Sequence, residues 1–312
     1  MILFKTLFSI WLLSTSMLWS GQTEARTDPC TPTEIFQVYC IKPSTTDPRI
    51  ERFDHPHYVL FKRAESRREL PLMVFLPGTT GQPPGPLLFL HTAVNHGYRV
   101  ISLEYNDEPS IAVYCPENGG PECSARMRHM RIYGNISMDP AIDNTRPEAI
   151  VERLFKLLQY LEREHPDEGW SAYFDHHGMR WEKIALSGQS QGAGMAAFIG
   201  KQKLVNRIIL FSSPWDFFHV RGRERELAPW LAWEAKTPLS RWFAGYNEHE
   251  ATARLLQRAY AMLSIPPAHI RMFSLPLPMD YRGHSDNPFH MQGISNRQYQ
   301  ADWIFFLTAP TQ

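Results

Sequence analysis

The pentapeptide Gly188-Gln189-Ser190-Gln191-Gly192 holds the residues whose types and spacing are most directly chemical. A serine hydroxyl serves as a nucleophile only when it is exposed and partnered by a base, and flanking glycines permit the sharp turn that exposes it. The neighbours on both sides fit that use. Lys183-Ile184-Ala185-Leu186-Ser187 reads as a buried strand, and Ala193-Gly194-Met195-Ala196-Ala197-Phe198-Ile199 as a tightly packed helix of small residues. Strand, turn and helix in that order predict a nucleophile elbow, with the Ser190 hydroxyl raised at the carboxyl edge of a sheet. The competing reading of the same five residues is a plain glycine-rich turn.

An elbow needs a sheet around it. Strands are expected over residues 57–62, 70–76, 98–103 and 207–212, and two closing strands over 237–244 and 269–275. Residues 87–95 read as a helix ended at Gly97. Thr145-Arg146-Pro147-Glu148 reads as a helix start, followed by Ile150, Leu154, Leu157, Leu158 and Leu161 at helical spacing. Further helices are expected over 251–263 and, amphipathic, over 298–307. Residues 26–50 read as irregular, and 106–144 as a polar excursion carrying two cysteines. Strands alternating with helices predict a mostly parallel sheet covered on both faces. No internal repeat or low-complexity linker interrupts the pattern, so a single domain over 26–312 is expected.

Composition narrows the function classes. The 32 basic and 32 acidic side chains balance, with no long run of either sign, which argues against nucleic acid or an anionic membrane as the main partner. The opening Met1-Ile2-Leu3-Phe4-Lys5 and the apolar run to Trp19 describe a secretory signal peptide, with cleavage expected after Ala25. A retained membrane anchor is the alternative; no later segment is long and apolar enough to span a bilayer. A secreted or periplasmic location makes disulfides natural for the four cysteines. Of the three possible pairings, the short spacings favour Cys30–Cys40 and Cys115–Cys123. No C-x-x-C spacing favours zinc.

Taken together, motif order and elements resemble the α/β-hydrolase superfamily over roughly residues 58–307. The details resemble a secreted branch with four marks. These are Leu76-Pro77-Gly78-Thr79, the Cys115 to Cys123 insertion followed by Arg128 to Gly134, the elbow, and Thr237-Pro238-Leu239-Ser240-Arg241. The resemblance implies an α/β-hydrolase fold with a mostly parallel central sheet, helices on both faces and a small aromatic-rich cap at about residues 215–237. That segment holds Trp215, Phe217, Phe218, Trp230 and Trp233, which either bind an acyl or aryl group or pack the cap onto the body.

The resemblance also orders the site as nucleophile, acid, histidine. Ser190 is then the nucleophile. His290, nearest the closing helix, is the expected base, and His284 the alternative. The acid is expected after the penultimate strand, where Glu250 matches the related sequences and Glu248 the commoner spacing; Asp216 is a third option, read rather as a cap or loop hydrogen-bond partner. Backbone N–H groups of Gln191 and Thr79 are the expected oxyanion donors. His55, His57, His176 and His177 read as surface or structural; His55-x-His57 has a ligand-like spacing, but no third metal ligand stands beside it.

These expectations converge on an exported serine hydrolase, foremost a carboxylic ester hydrolase, with a small-molecule or lipid-like ester as partner and with no cofactor, metal or nucleic acid. The alternatives are a serine peptidase or acyltransferase on the same fold, and a catalytically silent binding protein that keeps the elbow.

Overall fold

Strands buried on both faces build the centre of the molecule. In β3 (Leu72–Leu76), Leu72, Val74 and Leu76 pack into one core while Met73 and Phe75 pack into another. Such a strand must lie inside a sheet with helices on both sides. The computed structural model describes residues 28–134, 142–220, 225–277 and 288–311. The expected signal segment over 1–25 and the alternative base His284 lie outside the described residues.

Seven strands join β3: β1 (Phe36–Ile41), β2 (His57–Lys62), β4 (Arg99–Ser102), β5 (Ile184–Gln189), β6 (Arg207–Phe211), β7 (Trp242–Asn247) and β8 (Ile270–Phe273). Their order across the sheet is β1-β2-β4-β3-β5-β6-β7-β8. β2 runs antiparallel to both β1 and β4, and every later neighbouring pair is parallel. With the elbow at the end of β5, this is the α/β-hydrolase fold.

Two helix layers close the faces. Helix α1 (Leu87–Asn95) and the last helix, α7 (Gln300–Thr308), set Phe89, Leu90, Trp303 and Phe306 against Phe75, Phe211 and Phe243. The other face is covered by α2 (Ile111–Asn118), α3 (Cys123–Tyr133), α4 (Ile150–Glu164), α5 (Gln191–Gln202) and α6 (Ala253–Met262). Helix α4 buries Leu154, Leu157, Leu158 and Leu161, as its spacing dictates, and with them the charged Arg153. Among the described residues, no helix is long and apolar enough to cross a membrane.

Four details differ from the sequence reading. Residues 36–41, expected to be irregular, form β1, held by pairing to β2 and by the Cys30–Cys40 disulfide. The excursion over 106–144 contains α2 and α3, joined by the Cys115–Cys123 disulfide. Thr145 heads only a short 3-10 turn; α4 begins at Ile150, because Glu148 turns inward to pair with Arg153. The strand expected over 237–244 starts at Trp242. Thr237 instead bridges Lys203 O at 2.6 Å and Val205 N at 3.0 Å, and residues 239–241 form a 3-10 turn. Pro238 could not donate to a ladder, which fits its place outside the strand.

Candidate active site

Ser190 stands between β5 and α5 with φ 52° and ψ −125°. A non-glycine residue in that region costs on the order of 1–3 kcal/mol and persists only where its surroundings fix it. Here they do. The Ser190 N–H donates to Phe211 O at 2.9 Å, and its carbonyl accepts from Gly194 N at 3.2 Å. The flanking glycines are required by close approach. A Cβ on Gly192 would lie 1.9 Å from Leu76 O, and one on Gly188 would lie 2.4 Å from the Gly192 carbonyl carbon. The elbow is thus jammed between the end of β3 and the first turn of α5.

Ser190 and His290 line one cavity of about 330 Å³, together with Thr79, Gln189 and Met291. His290 lies in the turn Pro288–Met291, before the closing helix. Its Nδ1 is 2.8 Å from Glu250 Oε2. Glu250 is buried, and its other oxygen accepts from Ser212 Oγ at 2.6 Å and Asn247 N at 2.8 Å. Two carboxylate oxygens satisfied on opposite sides leave the group little freedom, so the imidazole it holds is oriented as well. Ser190 Oγ and His290 do not share a hydrogen bond in this structure; such bonds often tighten only in the substrate complex.

Glu248, the alternative acid, is half-exposed, with His249 Nε2 at 3.8 Å. The third option, Asp216, is occupied elsewhere. It forms a buried ion pair with Arg128 and accepts from Trp230 Nε1 at 2.9 Å. His57 is fully buried; its Nδ1 accepts from Glu104 N at 3.0 Å, and burial holds its pKa well below the ordinary value. Among the described residues, no group of three or more candidate ligands could hold a metal ion, so His55-x-His57 gains no partner.

The expected oxyanion donors flank Ser190. Gln191 opens α5, where the helix dipole favours negative charge. The Pro77-Gly78-Thr79 loop presses so close that a Cβ on Gly78 would sit 3.0 Å from Ser190 Cβ. Among the described residues, the amides of Gln191 and Thr79 have no acceptor. The Gln191 side chain is itself fixed: its Oε1 accepts from Ile111 N at 2.8 Å and its amide donates to Asp107 O.

Behind the elbow, Arg128 of α3 donates through Nη1 to Gln191 O at 3.3 Å. A Cβ on Gly194 would lie 2.3 Å from Arg128 Nη2, so only glycine lets α5 pass over the guanidinium. The aromatic segment after β6 divides its roles. Trp230 is buried against Phe198, Trp233 is half-exposed, and Trp215 lies beside Ser190 and Gln191.

Ser212 and Asn247, which fix Glu250, escaped the sequence reading. Ser212 had one signal, its place just past the carboxyl end of β6, where functional side chains of such sheets gather, whereas Asn247 fixes Glu250 through its main-chain N–H, which residue type does not announce.

No protein-family model and no curated protein matches the chain. Solved structures similar to it include a dienelactone hydrolase from Anabaena variabilis, with a TM-score of 0.46 and 13% identity over 87% of this chain and 97% of that one. Carboxyl esterase 2 from the fungus Tuber melanosporum aligns with a TM-score of 0.46 and 12% identity, covering 89% of this chain and 88% of its own. An esterase from Pyrococcus furiosus gives 0.43 and 11%, covering 87% and 91%.

Proposed function

We propose that this chain is an exported serine hydrolase that cleaves carboxylic esters. One observation carries the proposal: a strained elbow serine shares a cavity with a histidine whose far nitrogen is held by a buried, doubly anchored glutamate.

In the proposed reaction, Ser190 Oγ attacks the ester carbonyl carbon while His290 Nε2 takes the hydroxyl proton. Glu250 keeps the Nδ1 proton in place and stabilises the imidazolium that forms. The carbonyl oxygen becomes an oxyanion and accepts from the Gln191 and Thr79 amides, each such donor being worth roughly 3–4 kcal/mol in comparable sites. Collapse of the intermediate breaks the carbon–alkoxy bond, and His290 returns the proton to the leaving alcohol. Water then attacks the acyl-Ser190 ester, with His290 again as base, and releases the carboxylic acid.

The two disulfides fit an oxidising compartment. Hydrolysis of p-nitrophenyl esters of graded acyl length tests the reading. Turnover by the wild type that is lost in Ser190→Ala supports it; equal turnover by both proteins refutes it.

A further inference from the structure

A second cavity adjoins the first. It measures about 350 Å³ and gathers four carboxylates, from Asp54 before β2 and from Glu104, Asp107 and Glu108 after β4. No lysine or arginine lines it, and His55 is the single basic side chain among its described lining residues. Thr80, Gly81 and Gln82 line both cavities, so the loop that carries the proposed oxyanion donor Thr79 is the wall between them.

The carboxylates are poorly compensated. Glu104 and Asp107 are each only 3% exposed, and Asp107 Oδ2 has no hydrogen-bond partner among the described residues. The charges of Arg153 and Arg131 offset Glu104 and Asp107 only in part, and neither guanidinium donates a hydrogen bond to these carboxylates. Arg153 is bound to Glu148 and to the carbonyls of Arg52 and Phe53, and Arg131 donates to Pro109 O. Asp54 alone is well served, by Ser44 N and Oγ at 2.8 Å each. Burial, and then the charge of Glu108, pushes Asp107 up to about 7; burial, and then Asp107, pushes Glu104 up to about 8. Carboxylates buried without a partner cost stability, and a cation entering the cavity would remove that cost.

We propose that this acidic cavity binds a primary ammonium group of the substrate, which makes the preferred substrates esters carrying an alkylammonium a few bonds from the reacting carbonyl. The proposal rests on the hydrolase reading for its reaction, though not for its binding site. A metal ion is disfavoured, because among the described residues no three candidate ligands converge. A quaternary ammonium would want an aromatic cage, and Phe53 is the one aromatic in the lining. A primary ammonium offers three donors to carboxylate acceptors.

The test compares matched esters. On the acyl side these are the p-nitrophenyl esters of ω-aminohexanoic and heptanoic acids, equal in length and differing in the terminal ammonium. On the alcohol side they are the acetates of ω-aminohexanol and heptanol. The proposal expects kcat/KM to favour the ammonium ester by about tenfold or more in at least one pair, and the ratio to fall toward one in the Glu104→Gln/Asp107→Asn double variant. Calorimetry with hexylammonium chloride on folded Ser190→Ala protein gives a readout independent of turnover: binding is expected there and should be lost when the two carboxylates are also replaced. Ratios near one in the wild type together with no hexylammonium binding overturn the proposal, as does a preference that survives the double variant. If no ester is hydrolysed, the hydrolase reading fails while the calorimetry still decides the ammonium site.

Discussion

Arg128 grips Asp216 through two parallel bonds, Nε to Oδ2 at 2.7 Å and Nη2 to Oδ1 at 2.6 Å, with both side chains buried. The pair ties α3, in the disulfide-bearing insertion, to the chain just past β6, while the same guanidinium reaches Gln191 O under the elbow. A fork of this kind satisfies donors and acceptors that would be costly if left alone. Asp216→Ala should therefore lose about 3–5 kcal/mol, because a buried guanidinium is left unpaired. The double variant Arg128→Met/Asp216→Leu should recover much of that loss. Urea unfolding of the two variants checks both expectations, and a double variant less stable than Asp216→Ala would show that the pair itself contributes net stability.

Glu250 and Glu248 stand two positions apart but differ in environment, one buried against His290 and the other half-exposed beside His249. Glu250→Gln keeps the shape and removes the charge that fixes the imidazole tautomer. It should lower kcat by roughly a thousandfold or more, as loss of the orienting acid does in related triads. Glu248→Gln should change kcat by less than about twofold. Steady-state turnover of one p-nitrophenyl ester by both variants decides the matter, and the reverse order would move the acid to Glu248.

The sheet and the elbow were legible because their signals are local. The runs at 58–61, 72–76, 184–186 and 208–211 are apolar throughout, and two glycines bracket Ser190. Helix α3 was hidden because Arg128 and Arg131 occupy buried positions where periodicity looks for apolar residues. Strand β1 was masked by its Pro- and Thr-rich approach and became a strand only through pairing with β2. Of the site, Ser190, His290 and Glu250 were named from order along the chain, but preferring Glu250 to Glu248 required knowing which side chain turns inward. The acidic cavity was beyond reach, since it unites residues about fifty positions apart.

The disulfide Cys115–Cys123 closes a loop of sequence separation 8 at the junction of α2 and α3. Replacing both cysteines by serine should lower stability by about 2–3 kcal/mol on the chain-entropy account. Because α3 carries Arg128, ester turnover should fall in parallel as the insertion loosens. Peptide mapping without reduction should recover the linked pair, and alkylation of either thiol in native protein would contradict the bond.

The raised carboxyls of Glu104 and Asp107 make two pH predictions with definite signs. Folding binds their protons more tightly than the unfolded chain does, so their contribution to stability is complete below the ordinary carboxylate range and lost as pH rises through about 7 to 8. Glu104→Gln should accordingly melt above the wild type at about pH 9 and lose that advantage near pH 5. The ammonium-to-neutral kcat/KM ratio should rise over the same interval, as both groups become charged. Asp54, His55, His57, Glu108, Arg131 and Arg153 are the other charged or titratable groups set around them. A flat ratio from pH 6 to 9, on the scale of about twofold, would contradict the assignment.

Covalent labelling tests the central claim most directly. A fluorophosphonate reacts with a serine only where a base activates it and an oxyanion site receives the developing charge. The folded protein should take up one phosphonyl group, and peptide mapping should locate it on Ser190. Labelling should vanish in Ser190→Ala and slow by orders of magnitude in His290→Ala, with both variants melting as the wild type does. Undiminished labelling in Ser190→Ala, or a folded wild type that takes up no label, would contradict the account.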